Sequence, residues 1–307
     1  MTIEQLVATE LEQPVDPLVT AMAEAIARRY GSAARALLFY GSCLREANLD
    51  GLMLDFYLIV SDYAEAFGKG WLALANRLLP PNVFPFEHGG LVAKYAVLSE
   101  ADFARLASSA TRNVSVWARF AQPSRLVWAA DREAEEHCIA AVSAAAPALL
   151  AAARPMLPDS LDVEQLWEDA FALTYAAELR AERRGRALGV VAADPERYRI
   201  FTPPALAAAG LAASIRRGRL HFADPIAPAE RKAGQRLWAQ RRREGKALTL
   251  ARLAKATTTY AGGIDYLAWK INRHAGAAIE IRPWQRRWPI LGALSLLPRL
   301  IVKGAVR

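Results

Sequence analysis

Three short stretches hold side chains whose type and spacing suit chemistry on a phosphate. The first is YGS at 40–42, a glycine and a hydroxyl directly after an apolar run. Gly41 lets the backbone approach a ligand closely, and Ser42 with the free N–H groups of a following helical turn would hold phosphate oxygens. The second is LMLDFYLIV at 52–60, an apolar strand pattern interrupted by one acid, Asp55. A carboxylate there costs several kcal/mol unless it is paired or holds a metal. The face shared by residues 53, 55 and 57 is therefore expected to be a site or an ion pair. The third is LVAKYAVLS at 91–99, where Lys94 sits among apolar neighbours. A lysine so placed either reaches water at a sheet edge or meets a triphosphate.

These residues need a scaffold, and the first half of the chain reads as one. A helical run near 17–30 precedes strands at ALLFYG and LMLDFYLIV, a helix near 63–79, the strand LVAKYAVLS and a helix opening at Ser99. SRLVWAAD at 124–131 reads as the last strand. Alternation of this kind predicts an α/β layer. Beyond about residue 131 the strand signals fade into Ala/Leu/Arg helical patterns, broken at RPMLPDS (154–160) and FTPPA (201–205). The expected organisation is a first domain over 1–153, a helical domain over 154–275 and a basic amphipathic tail over 276–307.

Composition narrows the setting. The chain has 307 residues, of which 53% are hydrophobic and 23% charged, which suits a globular protein with a sizeable core. Cys43 and Cys138 are too few and too far apart for a disulfide framework or a zinc site. The acidic N-terminus lacks the layout of a signal peptide or presequence, so a cytoplasmic protein is expected. The net charge is +8, and residues 216–246 alone carry ten Lys/Arg against three acids. Such an excess suits a polyanionic partner: an anionic membrane surface, a phosphate-bearing substrate or nucleic acid. The lack of an aromatic-rich sheet pattern for bases disfavours nucleic acid.

The tail, RPWQRRWPILGALSLLPRLIVKGAVR (282–307), is too short between Arg287 and Arg299 to span a bilayer and is interrupted by prolines. Trp284 and Trp288 beside Arg286 and Arg287 instead suit a segment lying in the headgroup interface, peripheral on the inner face of the cell membrane.

A strand, Gly-Ser, a helix and an acid-bearing strand resemble the polymerase-β-like nucleotidyltransferases, in which carboxylates hold Mg²⁺ on a nucleoside triphosphate. YGSCLREANLDGLMLDFYLIV, LVAKYAVLS, VSVWARFAQPSRLVW and MLPDSLDVEQLWEDAFALTYAAELR resemble, in order, blocks of the mitochondrial translocator-maintenance-type CDP-diacylglycerol synthases. The resemblance covers about residues 36–182. It implies that CTP and phosphatidic acid, or a related lipid phosphate, react with Mg²⁺ to give CDP-diacylglycerol and pyrophosphate. It also implies Asp55 and Glu178 as metal ligands, and Gly41, Ser42, Lys94 and Arg119 as phosphate contacts. Three departures stand beside it. Cys43 replaces the second glycine, the family's His-Tyr-Ser stretch has no counterpart in WLALANRLLPPNVFPFEHGG, and Glu178 stands where the family has aspartate. Two other readings stay open: the same fold acting on a different acceptor, and a catalytically silent membrane-binding module.

Overall fold

The computed structural model describes residues 1–46, 49, 51–178, 186–259 and 281–283. The expected tail, apart from 281–283, lies outside the described residues. Along the chain run α1 (Ile3–Leu11), α2 (Pro17–Tyr30), β1 (Ala34–Tyr40), β2 (Met53–Val60), α3 (Tyr63–Ala66), α4 (Gly70–Leu78), β3 (Asn82–His88) and β4 (Leu91–Ser99). There follow α5 (Glu100–Leu106), α6 (Trp117–Phe120), β5 (Ser124–Ala129), α7 (Arg132–Ser143), α8 (Ala145–Ala153) and β6 (Ser160–Asp162). The last elements are α9 (Val163–Ala177), α10 (Arg186–Ala192), α11 (Pro195–Ala208), β7 (Ala213–Arg216), β8 (Arg219–Phe222) and α12 (Pro228–Thr259).

The chain is mixed α/β, as expected, and divides into two compact units. The sheet unit contains Val15–Glu100 and residues 246–259 of α12. Its strands follow the order β3-β4-β2-β1, with β2 and β4 parallel and the two outer pairs antiparallel. Parallel neighbours need a crossover, and α3, α4 and β3 supply the chain between β2 and β4. Leu54, Phe56 and Leu58 on β2 alternate with Ala93, Tyr95 and Val97 on β4 to form a dry face. Helix α2 lies over it: the Tyr30 hydroxyl meets the Tyr95 hydroxyl at 3.1 Å. Pro at the first turn of α2 and the Asp16 carboxylate accepting from the Leu18 N–H at 2.8 Å fix where that helix begins.

The helical unit holds Met1–Pro14, Ala101–Glu178 and, from the described residues, 186–245. Trp117, Trp167, Trp238, Phe171 and Tyr198 are fully buried in it. Its deepest ion pair joins Arg197 to Glu10: the guanidinium donates to both carboxylate oxygens, one at 3.0 Å, and to the Ala121 carbonyl at 3.1 Å. A small antiparallel sheet, β6-β8-β7, belongs to this unit. The stretch Arg132–Met156 is long and apolar enough to cross a membrane by length and composition, but most of its apolar part is buried in the protein.

Several expectations need adjustment. The helix foreseen near 63–79 is two, α3 and α4, separated at 67–69 around Gly68. The stretch 82–88, to which the sequence reading assigned no strand, is β3, which ends at His88. FTPPA does not break a helix: Pro203 and Pro204 lie inside α11. Strand does not end at 131, since β6, β7 and β8 follow, and His221 lies in β8. Residues 101–153 belong with the helical unit, not with the sheet unit as a boundary at 153 would have it. The reason is packing, because α7 and α8 bury their apolar faces on α1, α9 and α11.

Candidate active site

Register brings the expected residues of the sheet unit together. In the antiparallel pair β1/β2, Tyr40 lies opposite Asp55; in the parallel pair β2/β4, Asp55 lies opposite Lys94. All three side chains thus leave the sheet on one face, the face opposite the Tyr95 side. Tyr57, two residues along β2, shares it, and its ring lies 5.3 Å from that of Tyr40. Lys94 is not at a sheet edge, because β4 is flanked by β3 and β2. Its side chain is still partly exposed, so it reaches water from the face of the sheet and not from an edge.

The Lys94 ammonium stands 3.0 Å from Asp55 Oδ1, with side chains 31% and 21% exposed. The contact is close enough for a charge pair but is not aimed as a hydrogen bond, and buried Oδ1 has no hydrogen-bond donor. An ionised carboxylate has room for about four such bonds. Oδ1 thus has the Lys94 ammonium as its charge partner, and a metal ion at Asp55 would have to compete with that ammonium.

Beside it the chain turns at Gly41, with φ +97° and ψ −164°. Side chains rarely adopt this backbone, and a Cβ at Gly41 would sit 3.4 Å from Asp55 Oδ2. The glycine therefore keeps the turn directly against the carboxylate. Ser42 opens a single 3-10 turn, Ser42–Arg45. This is the short helical turn expected after YGS, and one turn supplies few aligned N–H groups. The Cys43 thiol is buried, donates to the Met53 carbonyl at 3.5 Å, and is pushed up by burial and by the Asp55 charge. In the sequence it stood out only as the residue in place of the second glycine after YGS.

Arg119 and Glu178 belong to the helical unit. Arg119 is in the last turn of α6, half-buried. Glu178 follows the last residue of α9 in extended backbone, with its N–H directed to the Tyr175 carbonyl at 3.4 Å. Residues 179–185, which follow it, lie outside the described residues.

Among the described residues no three of His, Cys, Asp or Glu converge as a metal cluster. The donor set at Asp55 suits a different kind of ion. Mg²⁺ keeps several waters and is held by one or two carboxylates together with substrate phosphates. The Asp55 carboxylate, with Oδ2 against the close-approach Gly41 turn and Oδ1 beside Lys94, is the carboxylate that the sheet unit offers beside that turn. Comparison of the chain with protein-family models and with curated proteins yields no match.

Proposed function

We propose that the chain is a nucleotidyltransferase of the cytidylyltransferase type, taking CTP and Mg²⁺ to convert phosphatidic acid, or a related lipid phosphate, to its CDP derivative with release of pyrophosphate. The observation that carries the reading is Asp55 itself, a carboxylate in mid-sheet with Oδ1 3.0 Å from the Lys94 ammonium and Oδ2 against the Gly41 turn. The resemblance of the stretches around Gly41, Asp55, Lys94, Arg119 and Glu178 to the CDP-diacylglycerol synthases adds the substrate.

Each residue then has a task. Asp55 holds the metal, which when bound neutralises triphosphate charge. The Gly41 turn admits phosphate oxygens close to the backbone, with the Ser42 hydroxyl as a donor. Lys94 places a second positive charge on the same face. A phosphatidate oxygen is already anionic at neutral pH, so no general base has to activate it. In-line positioning and charge neutralisation carry the reaction. This accounts for a site built without histidine.

The test is pyrophosphate release from each nucleoside triphosphate with Mg²⁺ and phosphatidate vesicles, for the native protein and Asp55→Asn. Release that requires both CTP and phosphatidate and is lost in the variant is the expected result. Release with another acceptor would move the reading to a different nucleotidyl transfer. No release with any nucleotide would leave a silent module.

A further inference from the structure

Among the described residues three arginines of the helical unit are buried, and two of them are fully answered. Arg154 donates to the Asp159 carboxylate at 2.6 Å and to the Asp224 carbonyl at 2.8 Å, while Arg197 is held by Glu10 and the Ala121 carbonyl. The third, Arg241 in α12, is 8% exposed, and its Nε and Nη1 are buried without any hydrogen-bond acceptor. A charge taken out of water without a counter-charge is costly, and the same unit meets that cost at the other two sites.

The surroundings of Arg241 do not make up the loss. Its guanidinium carbon stands 4.7 Å from the centre of the Trp238 ring and 5.8 Å from that of Trp117. Indole rings attract the face of a guanidinium, whereas its five N–H groups point outward in its own plane. The acid one turn along α12, Glu244, is already engaged. Arg112 lies 3.5 Å from its Oε1, and the Gln240 amide donates to the same oxygen at 2.7 Å. The charge that Arg241 does feel is a like one: burial and then Arg112 hold its pKa below the usual arginine value. The helix cannot roll to release the side chain to water, because it is pinned on both sides. The Trp238 indole donates to the Ala152 carbonyl at 2.9 Å, and Gly245 packs where a Cβ would collide with the Ala177 carbonyl. Nη2 is not among the buried nitrogens, so it is the edge at which an acceptor can arrive.

We propose that Arg241 and Arg112 form a binding site for a phosphate group, with one oxygen at Arg241 Nη2 and a second taken by Arg112 as it turns from Glu244. A tetrahedral phosphate suits two guanidinium groups in different planes, since its oxygens do not share one plane as those of a carboxylate do. The site lies wholly in the helical unit and requires neither Asp55 nor turnover. The phosphate can be a free ion or the esterified group of a larger ligand.

The experiment is scanning calorimetry of the full chain in chloride, inorganic phosphate and glycerol 3-phosphate at matched ionic strength, for the native protein, Arg241→Met and Arg112→Gln. In chloride Arg241→Met should melt no lower than the native protein, because an apolar side chain replaces a buried charge that has no partner. With a Kd of about 1 mM, about 10 mM phosphate lowers the native unfolding constant about ten-fold, a rise of about 3 °C in melting temperature. Arg241→Met should show no rise. Arg112 is exposed, so Arg112→Gln should fold as the native protein does, bind about ten-fold more weakly and show about a third of the rise. A larger effect of glycerol 3-phosphate than of inorganic phosphate would name an esterified phosphate, such as a lipid headgroup, as the ligand; the reverse would name the free ion. No rise in the native protein, or an equal rise in Arg241→Met, would overturn the proposal, and a low melting temperature of Arg241→Met in chloride would then assign the arginine to its indoles alone. Pyrophosphate release reads the Asp55 site separately, so either conclusion can fail without the other.

Discussion

Replacing Lys94 by methionine separates a metal-binding carboxylate from a structural ion pair. At 3.0 Å the two charges attract by about 5 kcal/mol at an effective dielectric of about 20, most of it offset by desolvation. Breaking a buried pair by removing one partner costs about 3–5 kcal/mol. With side chains 31% and 21% exposed, some screening applies, and about 2 kcal/mol is the working figure. For a chain of this length that is a fall of about 4 °C in melting temperature. Asp55→Asn should cost under about 1 kcal/mol, because the released Lys94 can turn its ammonium to water. The distinguishing step is Mg²⁺. With the competing ammonium gone, Asp55 in Lys94→Met should take up the ion, and a site with Kd of about 1 mM would return about 1.4 kcal/mol at 10 mM. The native protein should gain less, and Asp55→Asn/Lys94→Met nothing. Scanning calorimetry with EDTA and Mg²⁺ arms reads all of these. Equal losses in the two single variants, with no Mg²⁺ response in either, would refute the argument and make the pair structural.

Gly41→Ala should lose nucleotidyl transfer and about 1–3 kcal/mol of stability, since φ +97° is strained for any side chain and the new methyl would face Asp55 Oδ2. Gly218→Ala, also at positive φ but far along the chain in the β7–β8 turn, controls for the strain alone and should retain transfer. In α12, the Lys255 ammonium donates to the Leu79 and Pro81 carbonyls, the latter at 2.9 Å, while burial and then Arg252 push it down to about 7. Between that value and the unfolded value near 10.4 the unfolded chain binds more protons, so this group makes stability rise with pH from about 7 to 10. Lys255→Met should flatten that part of a chemical-denaturation profile; an unchanged slope would show that the lysine stays charged.

Much of the sheet was legible because its signals are local. Helix α2 and strand β4 fall where the pattern places them, at 17–30 and 91–99, since Pro17 and an apolar run bounded by Gly90 and Glu100 act over a few residues. Strand β3 was not legible. Its sequence, NVFPFEH, contains a proline, which argues against an interior strand; the structure accommodates it because β3 is paired only with β4 within the sheet unit. Pro203 and Pro204 misled in the other direction. They sit eight and nine residues into α11, where proline normally ends a helix, yet Tyr198, Thr202 and Leu206 bury the inner face and hold it through. In both cases tertiary burial outweighed a local preference that was read correctly.

The candidate site shows where such reading stops. Asp55 could be found from one strand, because an acid in an apolar run is costly wherever the strand ends up. Its pairing with Lys94 could not, since that follows from β2 and β4 lying parallel in one register, with 38 residues of chain between Asp55 and Lys94. A shift of that register by one residue would set Lys94 beside Leu54 or Phe56 and leave Asp55 beside Ala93 or Tyr95. The side chains that specify the register are those of the dry face, Leu54, Phe56 and Leu58 against Ala93, Tyr95 and Val97. The charge pair on one side of the sheet is therefore set by the apolar packing on the other, and a substitution such as Phe56→Ala should disturb the Asp55–Lys94 face without touching it.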